Sequence, residues 1–327
     1  MQTLSLVTGA NGHLGNTLVK ALLARGQHVR AGVRDPQQSS ELNALGCQVV
    51  RAELLDPDSL RHALKGVDVL YQVAAVFKHW AKDPHAEIVD VNVQGTRNVL
   101  RAAVEAGVKR VVYVSSVAAV GHGREQLDEA AWNIEQENPY YLSKILSERA
   151  AWDIARTLDL PMVAVLPSAI IGPNATRLTD TMGFLAAVLE RRLIMNPNFH
   201  FNFVDVRDVA DGVIRAAERG RPGQRYILAN SQPSSLADVI LALNACCPGY
   251  RLPTLAPRTL LMLIAWLQEL RASITGKPAE LLRSQVRMFY GVQQRYCIDK
   301  AVTELGYRPR PAQEALSQAF AYLLARR

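Results

Sequence analysis

Tyr140 and Lys144 stand four residues apart in the stretch Glu137 to Glu148, ENPYYLSKILSE, which has the look of one amphipathic helix. Residues at that spacing share a helix face, so a phenol and an ammonium can enter the same cleft. A free tyrosine titrates near pH ~10, too high for easy proton exchange at neutrality, and a neighbouring ammonium lowers that value by favouring the phenolate. A tyrosine tuned in this way acts as general acid in a carbonyl reduction and as general base in the reverse oxidation. Tyr141 has no lysine four residues later and is read as a packing or substrate-facing residue. Upstream, Ser115 and Ser116 lie in YVSSVAAVG, at the end of an apolar run. Alone, such serines satisfy backbone groups; beside the tyrosine and lysine, a hydroxyl there can bond a carbonyl oxygen as charge develops on it.

These groups need a framework, and the N-terminal half supplies one. LSLVTGANGHLGNTLVKALLARG reads as a strand, a glycine-rich turn and a helix ending near Gly26. HVRAGVRD, CQVVRAEL, VDVLYQVAAV, VKRVVYVSSVAAVG and PMVAVLPSAIIG read as five further strands, with helical patterns between them at Asp58 to Lys65 and Gly95 to Ala106. Continuous Val-rich strands alternating with helices imply an α/β fold, a doubly wound parallel sheet of Rossmann type. Gly9, Gly12 and Gly15 in TGANGHLG fall between strand and helix, where glycines admit a pyrophosphate and the helix N-terminus favours its charge. The second strand ends in AGVRDP. The alternation Val29, Ala31, Val33 makes Arg34 the first residue past the strand core, which favours the 2′-phosphate of NADP(H) over the free hydroxyl of NAD(H), for which Asp35 would be the partner.

With these motifs in place the chain resembles an extended short-chain dehydrogenase/reductase, most closely the dihydroflavonol 4-reductase and 3β-hydroxysteroid dehydrogenase branch. The similarity also takes in ALKGVDVLYQVAA, VNVQGTRNVLRAA, FVDVRDVADGVIRAAE and ELGYRPRP, and so covers nearly the whole chain. It implies Ser116 as the catalytic serine, Tyr140 as proton donor, and Lys144 as the residue that binds the nicotinamide ribose and tunes Tyr140. It implies cofactor contacts from Gly9, Asn11, Gly12, His13, Leu14 and Gly15, from Arg34 at the 2′-phosphate, from Glu53 and Leu54 beside adenine, and from Ala74, Ala75, Pro167 and Ser168 around the nicotinamide. Asn92 matches the family's asparagine in the fourth helix. The expected organisation is an NADP-binding domain over 1–166, with 201–229 returning to it, and a mostly helical substrate lobe from 167–200 and 230–327. By analogy the protein is a homodimer.

The same scaffold serves nucleotide-sugar epimerases and dehydratases. Those enzymes carry an Arg-x-x-Asn pattern after the sixth strand, where this chain has Leu166 and Ala169, and an arginine against the diphosphate where this chain has Phe201. Apolar residues at these positions leave a diphosphate unpaired and favour an uncharged, apolar substrate. His79, Trp80 and His122 occupy sequence positions that rim the active site. The reading is an NADPH-dependent reductase of a ketone or aldehyde on a hydrophobic molecule, reversible as an alcohol dehydrogenase; the alternatives are a nucleotide-sugar epimerase or dehydratase and a non-catalytic NADP-sensing protein.

Composition narrows the setting. The chain has 327 residues, 49% of them hydrophobic, and a net charge of +7 that resides wholly in residues 251–327. No basic run interleaved with aromatics points to nucleic acid. The apolar stretch TLLMLIAWLQEL, after Arg258, is too short to span a bilayer; it is read as pocket wall or core, with weak peripheral membrane contact as the other reading. Cys47, Cys246, Cys247 and Cys297 show neither metal spacing nor a disulfide framework and are expected to be free and buried. No metal is expected. The first apolar run begins at Leu4, too early for a leader, so a cytoplasmic protein is expected.

Overall fold

A computed structural model describes residues 3–123 and 125–326. The N-terminal part alternates β1 (Leu4–Thr8), α1 (His13–Ala24), β2 (His28–Val33), α2 (Ser40–Ala44), β3 (Gln48–Arg51), α3 (Pro57–Leu64), β4 (Val69–Gln72), α4 (Val91–Glu105), β5 (Arg110–Val114), α5 (Pro139–Thr157) and β6 (Met162–Pro167). There follow β7 (Ala169–Ile171), α6 (Asp180–Leu189), β8 (Phe203–Asp205), α7 (Val206–Arg219), β9 (Arg225–Leu228), α8 (Leu236–Cys246), α9 (Arg258–Thr275), α10 (Arg283–Phe289) and α11 (Ala312–Leu324). Seven strands form one parallel sheet in the order β3-β2-β1-β4-β5-β6-β9. The winding reverses between β1 and β4, and a crevice for a ligand opens beyond the strand ends at such a reversal.

The sheet is covered on both faces, which is why its strands read as unbroken apolar runs; every residue of β6 is buried. Adjacent residues on β1 serve opposite layers: Val7 packs with Leu14, Leu18, Val209 and Val213 of α1 and α7, and Leu6 with Leu60, Val99, Ala151 and Ile154 of α3, α4 and α5. Beyond β6 the chain builds a smaller assembly. β7 and β8 pair in parallel, and Ile171 and Phe203 pack against Leu185, Leu236, Leu316 and Phe320 of α6, α8 and α11. Helices α9 and α10 form a third cluster around Leu261, Val286 and Phe289.

The strands expected from apolar runs are present but shorter, because the last residues of several runs turn out into the crevice. β4 stops at Gln72 and leaves Ala74 and Ala75 in a loop; β5 stops at Val114 and leaves Ser115 and Ser116 beyond it. The cysteines are all free, as expected, but none is buried: Cys246 is exposed and the other three are half-buried, because α8 presents its C-terminal end to the surface and Cys47 and Cys297 lie in connecting segments. Among the described residues no helix is long and apolar enough to cross a membrane, and no cluster of His, Cys, Asp or Glu could hold a metal ion.

Candidate active site

Helix α5 carries two of the three expected groups, and its start is fixed locally. Asn138 accepts from the backbone N–H of Tyr140 (3.1 Å) and of Tyr141 (3.3 Å), and Pro139 occupies the first helical position, where its missing N–H costs nothing. Ser116 arrives from the other side. Its Oγ accepts from Ala118 N–H at 3.1 Å, capping a short turn over Val117–Ala119, and Tyr140 Oη donates to it at 3.5 Å. Both acceptor positions of the Ser116 oxygen are thereby engaged, which leaves its proton to donate.

The electrostatics of the tyrosine differ from the sequence expectation. Burial pushes the Tyr140 phenol up to about 12, with the Ser116 hydrogen bond acting in the other direction. Burial likewise pulls the Lys144 ammonium down to about 8, with Glu148, one turn along α5, opposing. Desolvation therefore outweighs the expected acidification of Tyr140, and the phenol is held protonated. Lys144 makes no ion pair among the described residues, since Glu148 is committed elsewhere: it accepts from Ser115 Oγ (2.6 Å), Trp152 Nε1 (3.1 Å) and Arg225 Nε (2.7 Å). Glu148 and Arg225 form a buried pair, and Arg225 also stacks over Trp132 at 4.1 Å and donates to Glu129 O and Ala131 O. Sequence reasoning missed Glu148, Arg225 and Asn138; the spacing Tyr140, Lys144, Glu148 was the available signal for the first.

The glycine loop lies at the sheet reversal. Gly9 has φ +65°, and a Cβ there would stand 2.9 Å from Ala74 Cα; a Cβ on Gly15 would stand 2.2 Å from Gly9 O. The loop can lie flat against α1 only without side chains at these positions. Thr8 Oγ1 accepts from Val73 N–H (3.0 Å) and Ala74 N–H (3.1 Å), and Asn92 clamps the same loop by exchanging hydrogen bonds with Val76 and donating to Ser143 Oγ of α5. Ala74 and Ala75 are thus held between the glycine loop and α5. Asn11 donates to Ser39 Oγ (3.0 Å) and its carbonyl accepts from Thr176 Oγ1 (2.8 Å). Buried His13 bonds Pro173 O through Nε2 at 2.7 Å, so its ring faces the smaller assembly, and Leu14 faces the core.

At the end of β2, Arg34 extends into solvent with its side chain 80% exposed and pairs with Glu53 at 2.9 Å. The Asp35 carboxylate is occupied, accepting from Gln37 N–H (3.0 Å) and Gln38 Nε2 (2.8 Å). Leu54 is buried beneath Gly95 of α4. Pro167 ends β6, and Ser168 donates to Asn202 Oδ1 (3.0 Å) within a buried amide network that includes Asn230 and Gln294. His79 packs edge-on against Tyr140 at 4.8 Å, between Phe77 and Tyr141. His122 lies 6.0 Å from Tyr141 and 5.8 Å from Phe289, and Phe289 packs in turn on Phe201 (5.6 Å) and Phe199 (5.9 Å). Desolvation lowers both histidine pKa values, keeping the rings neutral. Trp80 borders an outer cleft of about 290 Å³ with His79, Pro139 and Arg283, and Ala169 lies half-buried at the start of β7.

A glycine cradle at the reversal of a doubly wound sheet, opening onto a buried tyrosine, lysine and serine, defines a nicotinamide-dependent oxidoreductase. Residues 5–229 match the model of the NAD dependent epimerase/dehydratase family, and the chain belongs to that family, among the extended short-chain dehydrogenase/reductases of the dihydroflavonol 4-reductase-like branch. It is similar to a Synechocystis sp. (strain ATCC 27184 / PCC 6803 / Kazusa) protein provisionally named dihydroflavonol 4-reductase, with 34% identity over 96% of this chain and 92% of the relative. The crystal structure of gox2253 superposes with a TM-score of 0.85 at 33% identity, covering 99% of both chains. That of the yeast methylglyoxal/isovaleraldehyde reductase Gre2 complexed with NADPH superposes at 0.78 and 20% identity, over 99% of this chain and 98% of the other.

Proposed function

We propose that the chain is an NADPH-dependent reductase of a ketone or aldehyde on a hydrophobic, ring-bearing small molecule, working in reverse as an alcohol dehydrogenase. The observation that carries this reading is the aromatic wall that runs without interruption from Phe77 through Tyr140 and Tyr141 to Phe289 and Phe201. A substrate whose carbonyl lies between Tyr140 Oη and Ser116 Oγ rests its remaining atoms on these rings. The two arginines at the outer cleft, Arg283 and Arg287, face Glu269 and Glu137, so among the described residues the cleft carries as many acids as arginines and offers a sugar diphosphate no excess of positive charge. Neutral His79 and His122, each with a buried Nδ1 that has no partner among the described residues, are the candidates to meet a polar atom of the substrate.

The residues present fit a bound dinucleotide. Gly9, Gly12 and Gly15 give the pyrophosphate close backbone approach, the unpaired Lys144 ammonium suits ribose hydroxyls, and exposed Arg34, with Asp35 already occupied, suits a 2′-phosphate. The cofactor's chemistry is hydride supply to the carbonyl carbon. Ser116 donates to the oxygen on which charge develops, and Tyr140, protonated throughout the neutral range, delivers the proton to it. Tyr140→Phe is expected to lower carbonyl reduction by about 10² to 10⁴-fold while NADPH affinity, read by fluorescence titration, stays within about twofold. Unchanged turnover would remove Tyr140 from the mechanism; interconversion of UDP-sugars without net cofactor consumption would establish the epimerase reading instead.

A further inference from the structure

Helix α9 gathers more exposed large hydrophobic side chains than any other helix among the described residues. Its inner residues Leu261 and Ala265 pack with Phe289 and Phe199, while Leu260, Leu263, Trp266, Leu267, Leu270 and Ile274 are 37–76% exposed. At 100° per residue these six fall within an arc of about 120°, and at 1.5 Å per residue they form a stripe about 21 Å long. An apolar stripe of this extent marks a contact surface, because solvent-facing helix sides are ordinarily polar.

The charges around the stripe indicate what it contacts. Arg258 begins α9, Arg271 flanks the stripe, and Lys277 follows the left-handed Gly276 that ends the helix. All three are exposed and form no ion pair among the described residues, and the exposed residues of α9 include no acid. Its one acid, Glu269, is half-buried and held by Arg283 at 2.6 Å. Beside Lys277 the exposed Glu280, whose backbone N–H donates to Gln268 of α9, is among the described residues the one acid outside an ion pair near this end of the helix, so cations outnumber it three to one. A second copy of this face would bring like charges together with one carboxylate to receive them, whereas a surface of anionic headgroups over acyl chains complements both the charge and the apolar arc. The helix does not qualify as a membrane span, so it would lie along the surface rather than cross it.

We propose that α9 docks the protein on anionic lipid bilayers, with Leu263, Trp266, Leu267 and Leu270 entering the headgroup boundary and Arg258, Arg271 and Lys277 meeting lipid phosphates and carboxylates. The test is flotation of the full chain with vesicles of phosphatidylcholine and phosphatidylserine in equal parts, against phosphatidylcholine alone. The wild type is expected to float with the mixed vesicles, less so at high salt, and much less with phosphatidylcholine alone. Leu263→Gln/Leu267→Gln should weaken vesicle binding at least about tenfold without lowering the melting temperature, since both side chains already face solvent, and Arg271→Glu should weaken it selectively for the anionic vesicles. Failure of the wild type to float, equal flotation on neutral vesicles, or undiminished binding by the double variant would each overturn the proposal. So would a fall in mass of the double variant by sedimentation velocity with no vesicle binding by the wild type, which would make the stripe an interface between copies.

Discussion

At the scale of single residues, the site depends on how burial weighs against charge. Because the phenol of Tyr140 is raised to about 12, the acid needed for reduction is present at any neutral pH, while the base needed for oxidation is scarce. Alcohol oxidation is therefore expected to climb with pH from neutrality toward pH ~10, while carbonyl reduction stays nearly flat over the same interval; initial rates in both directions would check it. Lys144 has a linked effect on stability. Its pKa is about 8 in the folded chain against an ordinary 10.5, so below pH ~8 the folded state bears the full cost of a buried ammonium, on the order of 3 kcal/mol. Between about pH 8 and 10 the unfolded chain binds more protons than the folded one, and stability rises with pH. Above pH ~10 Tyr140 works the other way, because its raised pKa lets the unfolded phenol ionise first. Urea denaturation should show Lys144→Met more stable than wild type at pH 7, with the gap narrowing from pH ~8 to ~10. Arg34→Ala should raise the KM for NADPH about tenfold and leave that for NADH nearly unchanged, the loss of one charge-assisted contact to a phosphate.

At the scale of elements, α5 is aligned at its start and at its middle. Asn138 and Pro139 set its first turn, and Glu148, wholly buried, ties its third turn to Arg225 of β9 and to Ser115 at the end of β5. Glu148→Gln leaves a buried guanidinium poorly compensated and is expected to destabilise the fold by about 3 kcal/mol in urea titration, with Glu148→Gln/Arg225→Met recovering part of the loss. Local signals made much of this level legible in the sequence. The glycine spacing, the Val-rich runs and the four-residue Tyr–Lys interval each follow from a periodicity or a steric need confined to a few neighbours. Asn138 could have been read as a cap, since Asn-Pro before an amphipathic run is a helix start. The break of PMVAVLPSAIIG into β6 and β7, the short strands β8 and β9 and the partners of Glu148 could not, because strands of three or four residues and pairs separated by 77 residues leave no local period.

At the scale of the whole molecule, the smaller assembly is fastened to the sheet by polar joints as well as apolar contacts. Asp205, fully buried at the end of β8, receives Arg207 and lies near Arg310, which also binds Asp208 at 2.9 Å and so ties the segment before α11 to α7. Arg310→Met should lower the melting temperature by several degrees, as loss of one partner in a half-buried network costs roughly 1–3 kcal/mol. The charge asymmetry of the chain was visible in composition, but its setting was not: only the fold shows that Arg258, Arg271 and Lys277 frame an apolar helix side.

The loop that follows β1 is anchored to two partners at once. His13 holds Pro173, and Thr176 holds the carbonyl of Asn11, so the residues facing a pyrophosphate and those leading into the substrate side share one set of hydrogen bonds. If a dinucleotide and a second reactant both bear on these hydrogen bonds, their binding is expected to be coupled. Dinucleotide should then tighten the second reactant, and by reciprocity the second should tighten the dinucleotide by the same factor, which titration of each ligand in the presence and absence of the other would measure.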